Sequence, residues 1–115
     1  MDATAALSEL LALSTQVVEV VIDGPGGAIE AVHAASEERG RSLAAAGASL
    51  LAEAATLRRS GPEVERVQVD LDRGSLVAVR TGGRTIVATT VPEPTAGLVA
   101  FDLRTVLRRV AEGAA

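Results

Sequence analysis

The chain has 115 residues, which is typical of one domain, and 48% of them are hydrophobic although Phe101 is the single aromatic residue. We therefore expect one domain over residues 1–115, with a core of Ala, Val, Leu and Ile. The absence of cysteine and lysine excludes disulfides, thiolate metal sites, cysteine nucleophiles and Schiff-base lysines. A net charge of −4 without a basic, aromatic-rich patch argues against nucleic acid as a partner.

The sequence also bears on location. It carries neither the pattern of a secretion signal nor an apolar run of about 18 residues. We expect a cytoplasmic protein that does not insert into a membrane.

The first elements are a short helix and two strands. Ala3, Ala6, Leu7, Leu10 and Leu11 recur at helical spacing, and Asp2 or Thr4 could cap the helix. "QVVEVVI" then predicts a strand with Val18, Val20 and Ile22 on one face and Val17 and Val21 on the other. A strand that is apolar on both faces belongs in the middle of a sheet. After a glycine turn, "AIEAVHA" predicts a second strand that pairs with the first.

A long helix is predicted from Ser36 to about Arg59. Ser36 suits the N-cap, Glu37 and Glu38 suit the positive end of the helix dipole, and Arg58 and Arg59 suit its negative end. Two apolar stripes predict two packing surfaces, the sheet and one more. The first stripe is Leu43, Gly47, Leu50, Ala54 and Leu57, and the second is Ala44, Ala48, Leu51 and Ala55.

Three strands and a last helix complete the domain. "SGP" at 60–62 ends the long helix, and "EVERVQVDL", "SLVAVRT" and "RTIVATTV" follow as strands joined by the hairpin-length connections "DRG" and "GG". The last helix is predicted from about Thr95 to Glu112, with Val99, Leu103, Val106 and Val110 buried. Because the first strand is central, it neighbours the last one, and the predicted sheet order is 2-1-5-4-3.

This order leaves "VERVQVD" at an edge of the sheet. A regular edge strand without an internal proline invites another strand, and the spare helix stripe lies near the same boundary. Both features favour a symmetric dimer with one continuous sheet. The predicted interface comprises Val67 and Val69 together with the first stripe, Leu43, Gly47, Leu50, Ala54 and Leu57.

No catalytic, cofactor or metal site is predicted. Gly24, Gly26 and Gly27 fit neither phosphate-loop spacing, and "TGGRT" likewise indicates a hairpin turn. His33 is the single histidine, and we interpret it as a hydrogen-bonding residue at a strand end. Asp70 and Asp72 are a carboxylate pair near a turn, and we interpret Asp-Arg-Gly as an ordinary turn sequence rather than a metal site. The arginine pairs at 58 and 59 and at 108 and 109 fit helix ends, with an arginine finger as the sharper alternative.

The sequence resembles the roadblock/LC7 family. The resemblance rests on the glycine hairpin after "VEVVID", the helix "GRSLAAAGASLLAEAATLRR", the strands "VERVQVDLDRGSLVAVRTGGRTIVATTV" and the segment "AGLVAFDLRTVLRRV". It implies an α+β, profilin-like α/β/α sandwich with a five-stranded antiparallel sheet, helices on both faces, and a dimer formed through the third strand and the long helix. Pro25 before Gly26 departs from the usual Asp-Gly of this turn.

The family includes bacterial proteins that bind Ras-like GTPases and are often encoded beside a sensor kinase, so the resemblance implies such partners here. Their paired long helices form the docking surface, to which Arg41, Leu43, Ser49, Glu53 and Thr56 would correspond. The leading hypothesis is a homodimeric, non-enzymatic regulator or scaffold of a small GTPase in bacterial signalling. The alternatives are a small-molecule sensor of the PAS type and a purely structural subunit of a larger complex.

Overall fold

A computed structural model describes residues 2–57 and 65–113. Its elements in chain order are α1 (Ala3–Leu13), β1 (Val17–Asp23), β2 (Ile29–His33), α2 (Glu37–Ala55), β3 (Arg66–Leu71), β4 (Gly74–Thr81), β5 (Arg84–Thr90) and α3 (Ala96–Gly113). The five strands form one antiparallel sheet in the order β2-β1-β5-β4-β3, which confirms the predicted order.

The sheet separates two apolar layers. On one face, α1 and α3 pack through a large cluster that includes Leu10, Leu103 and Leu107. On the other face, a smaller cluster joins Leu43 and Leu51 of α2 to the sheet. The predicted sandwich with helices on both faces is therefore confirmed.

Local signals in the sequence set the beginnings of the helices and the turns. The Asp2 carboxylate accepts a hydrogen bond from the Ala5 N–H at 2.8 Å, and the Ser36 hydroxyl accepts one from the Arg39 N–H at 3.1 Å. Gly82 and Gly83 have φ angles of +59° and +78°, as their two-residue hairpin requires. The glycine segment after β1 is also a hairpin turn, since β2 follows it and pairs with β1.

The predicted faces of β1 are wrong at its first residues. Val17 is buried in the cluster that contains Val20, whereas Val18 is 49% exposed. The physical reason is an irregularity in the pairing of β1 with β5 between Val17 and Glu19, which reverses the alternation of side chains before Glu19. Val18 therefore belongs to the α2 side of the sheet and remains outside the core.

Candidate interaction surface

The outer edge of the sheet is β3, which within the described ranges pairs only with β4. The Arg80 N–H donates to the Glu65 carbonyl at 2.8 Å, so Glu65 directs its backbone groups at β4. Because backbone direction alternates along a strand, Val67, Val69 and Leu71 also pair inward. Arg66, Gln68 and Asp70 consequently direct their N–H and C=O groups away from the sheet. This edge has the geometry to accept another antiparallel strand.

The helix α2 crosses the sheet along one row of side chains. The pairing places Val67, Ala78, Val87, Val21 and Val32 side by side on neighbouring strands, from β3 to β2. A Cβ added at Gly40 would lie 2.6 Å from Val32 Cγ2, and one added at Gly47 would overlap Val87. Glycine at these two positions lets the helix backbone lie close to the sheet, and the course of the helix is from β2 toward the β3 edge.

This course corrects part of the predicted interface. Leu43 is 3% exposed, and Gly47 is buried above Val87, so both lie between α2 and the sheet of their own chain. Neither residue has enough accessible surface to contact a second copy. For the same reason, Leu43 is not part of the docking surface. The sheet-facing side takes residues from both predicted stripes, because the helix settles where glycine and alanine permit the closest approach.

The remaining residues of the predicted interface have accessible surface. Leu50, Ala54, Val67 and Val69 are half-buried, and Leu57 is 82% exposed. Leu57 follows Thr56, whose φ of −67° and ψ of −19° continue the helical backbone. Their contact with a second copy stays a prediction. The predicted role of Arg58 and Arg59 falls outside the described residues, as does the helix end at 60–62.

The predicted docking residues lie on the solvent side of α2. Arg41, Ser49, Glu53 and Thr56 are all exposed. Arg41 lies 3.9 Å from the Glu37 carboxylate, and the Thr56 hydroxyl donates to the Glu53 carbonyl at 2.7 Å. The four side chains are therefore free to meet a partner protein, and such a contact also stays a prediction.

A charged network that no sequence pattern predicted ties α2 to β1. The Arg39 guanidinium donates to both oxygens of Glu19, at 2.9 and 3.0 Å, and the Thr89 hydroxyl donates to Glu19 at 3.0 Å. These hydrogen bonds, with Arg39 first, hold the pKa of Glu19 below its ordinary value despite partial burial. The partners are 20 and 70 residues apart in sequence from Glu19, so no local motif marks them.

An open cleft of about 320 Å³ lies beside this network, on the α2 side of the sheet. Val18, Leu71, Val91 and Pro92 provide apolar lining, and Arg39 and Arg73 also border it. The Ser75 N–H donates to the Thr90 hydroxyl at 2.9 Å, so polar groups of the lining bond to one another. The bulge at Val18 helps to form this cleft, and the sequence predicted neither feature.

At the opposite end of β1, Asp23 is a buried carboxyl group. Asp23 is 7% exposed, and its Oδ1 has no hydrogen-bond partner among the described atoms. Burial, with a smaller contribution from the Glu30 charge, raises the pKa of Asp23. Glu30 itself bonds Arg84 at 3.0 Å. This carboxyl therefore has a cost in stability when it is ionised.

The described residues 2–57 and 65–113 contain no group of three or more His, Cys, Asp or Glu side chains that could hold a metal ion. Asp70 instead accepts hydrogen bonds from Gln68 at 3.0 Å and Ser75 at 2.8 Å, which lower its pKa. Arg109 pairs with Glu9, and His33 is exposed at the end of β2. In the same part of the chain, none of the helices has the length and apolar character needed to cross a membrane.

Comparisons with known proteins show that this chain is similar in structure to several solved proteins. No protein-family model matches the sequence, and no curated protein matches it significantly. A roadblock/LC7 domain from Streptomyces avermitilis is similar with a TM-score of 0.85 and 19% identity, covering 99% of this chain and 98% of that one. Myxococcus xanthus MglB is similar with a TM-score of 0.70 and 14% identity, covering 95% and 81% of the two chains.

A profilin is also similar. The structure of LokiProfilin2 with rabbit actin gives a TM-score of 0.65 and 13% identity, covering 94% of each chain. The agreement extends over almost the whole of the compared chains, which supports the resemblance inferred from the element order and the segments around α2 and α3. The chain has the roadblock/LC7 fold, a profilin-like sandwich.

Proposed function

We propose that this protein is a non-enzymatic, homodimeric regulator or scaffold that binds a Ras-like small GTPase in a bacterial signalling system. The observation that carries the proposal is that this chain, with its roadblock/LC7 fold, has two exposed features on neighbouring elements. They are a β3 edge that within the described residues pairs only with β4, and the outer face of α2. The family resemblance supplies the class of partner, including a sensor kinase in the same system, and we place the complex in the cytoplasm.

The dimer is proposed to form by antiparallel pairing of two β3 strands. Arg66, Gln68 and Asp70 supply the backbone donors and acceptors of the new ladder, and Arg66 and Asp70 supply opposite charges on one face. Two five-stranded sheets then become one sheet of ten strands, and the two α2 helices lie on the same side of it. This closed two-fold arrangement covers the β3 edges of both copies at once.

The docking surface is proposed to be the outer side of the two α2 helices, with Arg41, Ser49, Glu53 and Thr56 from each copy. Contact at this surface would act through the partner's conformation, by binding one arrangement of its switch loops more tightly than the other. This difference in affinity sets how far the conformational equilibrium of the partner shifts. The chain's own residues perform no chemical step in this proposal.

The test is a binding titration against the Ras-like GTPase encoded near the gene, loaded with GDP or with a GTP analogue. Ser49→Arg adds a long charged side chain to the docking surface and is expected to weaken binding at least tenfold. Ser8→Arg makes the same change at an exposed position of α1, on the other face of the sheet, and is expected to bind as the wild type does.

Three results would contradict the proposal: no binding in either nucleotide state, equal loss of binding in both variants, or no loss in either. Tight binding with unchanged exchange and hydrolysis would favour a scaffold over a regulator. Since both roles belong to the proposal, the nucleotide-cycle assay decides between them.

A further inference from the structure

A strip of the sheet beside α2 has no cover from the described part of its own chain. The helix lies on the row that contains Val67 and Val87. The open cleft beside it is bordered by the neighbouring pair Glu19 and Thr89 and, toward β3, by Leu71. Leu71 and Val18, at the two ends of the cleft, are 56% and 49% exposed. This strip is a largely apolar surface that reaches the β3 edge, which is paired by no other strand of the described residues than β4.

The end of α2 projects past that edge. From Gly47, which lies above β5, α2 rises about 12 Å to its end at Ala55, and the turn formed by Thr56 and Leu57 continues about 3 Å in the same direction. The distance from β5 across β4 to β3 is about 10 Å. Leu57 therefore lies about 5 Å outside its own sheet, one strand spacing beyond β3. A second β3 paired to the edge would lie beneath it.

The side of the helix that carries Leu57 is also known. Arg39 turns toward the cleft to reach Glu19. Positions 39, 46 and 50 follow spacings of seven and four residues, which place them on one side of α2. Leu57 follows Leu50 by seven residues, and the helical backbone angles of Thr56 keep it close to the same side. Leu50 and Leu57 consequently face the open strip rather than the far side of α2.

Side-chain alternation restricts the register of a β3 pair. A two-fold axis normal to the sheet keeps the α2 faces together, so Val67, Val69 and Leu71 must pair among themselves. A register centred on Gln68 would place Arg66 opposite Asp70 but Leu71 opposite Glu65. One centred on Val69 places Leu71 opposite Val67, and Arg66 opposite Asp72. Both registers join a cation to an anion, but only the second gives Leu71 an apolar neighbour, and it is the one that we adopt.

We infer that Leu57 of each copy packs on Leu71 of the other, at the β3 end of the cleft, in a dimer whose two-fold axis passes between the Val69 residues. The inference rests on the proposed dimer and adds its register and its apolar anchor. The axis reverses the direction of α2, so the projecting end of one helix lies on the strip that the other leaves bare. Each copy is completed by a residue of its partner.

The absence of cysteine from the natural chain makes disulfide trapping selective. Leu57→Cys with a size tag is mixed with untagged Leu71→Cys under mild oxidation, and a heterodisulfide is expected because the two side chains touch. Phe101→Cys is the matched control, since Phe101 is 66% exposed on α3 at the other face of the sheet. Val69→Cys alone is expected to form a disulfide with its own copy, and Gln68→Cys is not.

Leucine truncation gives a second readout. Leu57→Ala is expected to raise the dimer dissociation constant at least tenfold, because two leucine contacts are lost per dimer. Leu13→Ala removes another exposed leucine, from the end of α1, and is expected to leave the constant unchanged.

Failure of this inference is distinguishable from failure of the proposed function. A dimer by sedimentation that yields no 57–71 disulfide, or that Leu57→Ala and Leu13→Ala affect equally, overturns the anchor and leaves the dimer standing. A monomer at 100 µM wild-type protein, about 1.2 mg/mL at 11.7 kDa, overturns both. Trapping of 57 with 71 but not with 101 supports the inference.

Discussion

The close approach of α2 to the sheet can be tested at Gly47. An alanine at a helix interior stabilises by about 1 kcal/mol relative to glycine. At Gly47, however, the new methyl would overlap the buried Val87 side chain, which is branched at Cβ and has little freedom to rotate. Overpacking of this kind costs about 1–3 kcal/mol. We therefore expect Gly47→Ala to lower the free energy of unfolding by about 1 kcal/mol.

A matched substitution isolates the packing contribution. Gly97 lies in α3, and a Cβ added there meets no other heavy atom of the described residues within 4 Å. Gly97→Ala is expected to be neutral or to stabilise by up to about 1 kcal/mol. Urea denaturation followed by circular dichroism measures both variants under the same conditions.

A double-mutant cycle then tests the cause. Val87→Ala alone should cost about 2 kcal/mol, because it removes two buried methyl groups. In the Gly47→Ala background it should cost about 1 kcal/mol less, since the added methyl of residue 47 takes up part of the space. If the two changes are additive within about 0.5 kcal/mol, Gly47 does not lie on Val87, and α2 follows a different course across the sheet.

Two carboxyl groups give further predictions with opposite signs, both measured by urea denaturation between pH 3.5 and 8. Asp23 has a raised folded-state pKa, so its ionised form destabilises the fold; Asp23→Asn should raise the free energy of unfolding at pH 7 by about 1 kcal/mol, and the gain should shrink as the pH falls toward 3.8. No gain at pH 7 would contradict the burial argument. Glu19 has a lowered pKa, so Glu19→Gln should lower stability at pH 7 by about 1 kcal/mol, and the loss should vanish as the pH falls below the folded-state pKa. A loss that persists unchanged at pH 3.5 would show that the Arg39 ion pair is not its source.

The sequence predicted the architecture because the relevant signals are local. The valines and isoleucine on both faces of β1 identified it as an inner strand, and this property with the hairpin-length connections determined the sheet order. Ser36 and the glycines at 82 and 83 marked a helix start and a turn through backbone chemistry. These features depend on neighbouring residues alone.

The orientation of α2 could not be obtained in the same way. The two stripes on this helix are both apolar, and the choice between them depends on the shape of the sheet beneath, where Val87 and Val32 meet glycines. The bulge beside Val18 depends on the pairing of β1 with β5, and the Glu19 network on residues far away in sequence. The cleft, which Val18, Glu19 and Arg39 border, depends on these long-range contacts.

Pairing of β3 with a second copy is the central claim, and amide hydrogen exchange measured by NMR tests it at the atoms concerned. In a monomer, the amides of Val67 and Val69 would be protected by β4, while those of Gln68 and Asp70 would exchange freely. We predict that the Gln68 and Asp70 amides are protected at concentrations where the dimer forms and lose protection on dilution. Rapid exchange of these two amides at every concentration would contradict the β3 pairing.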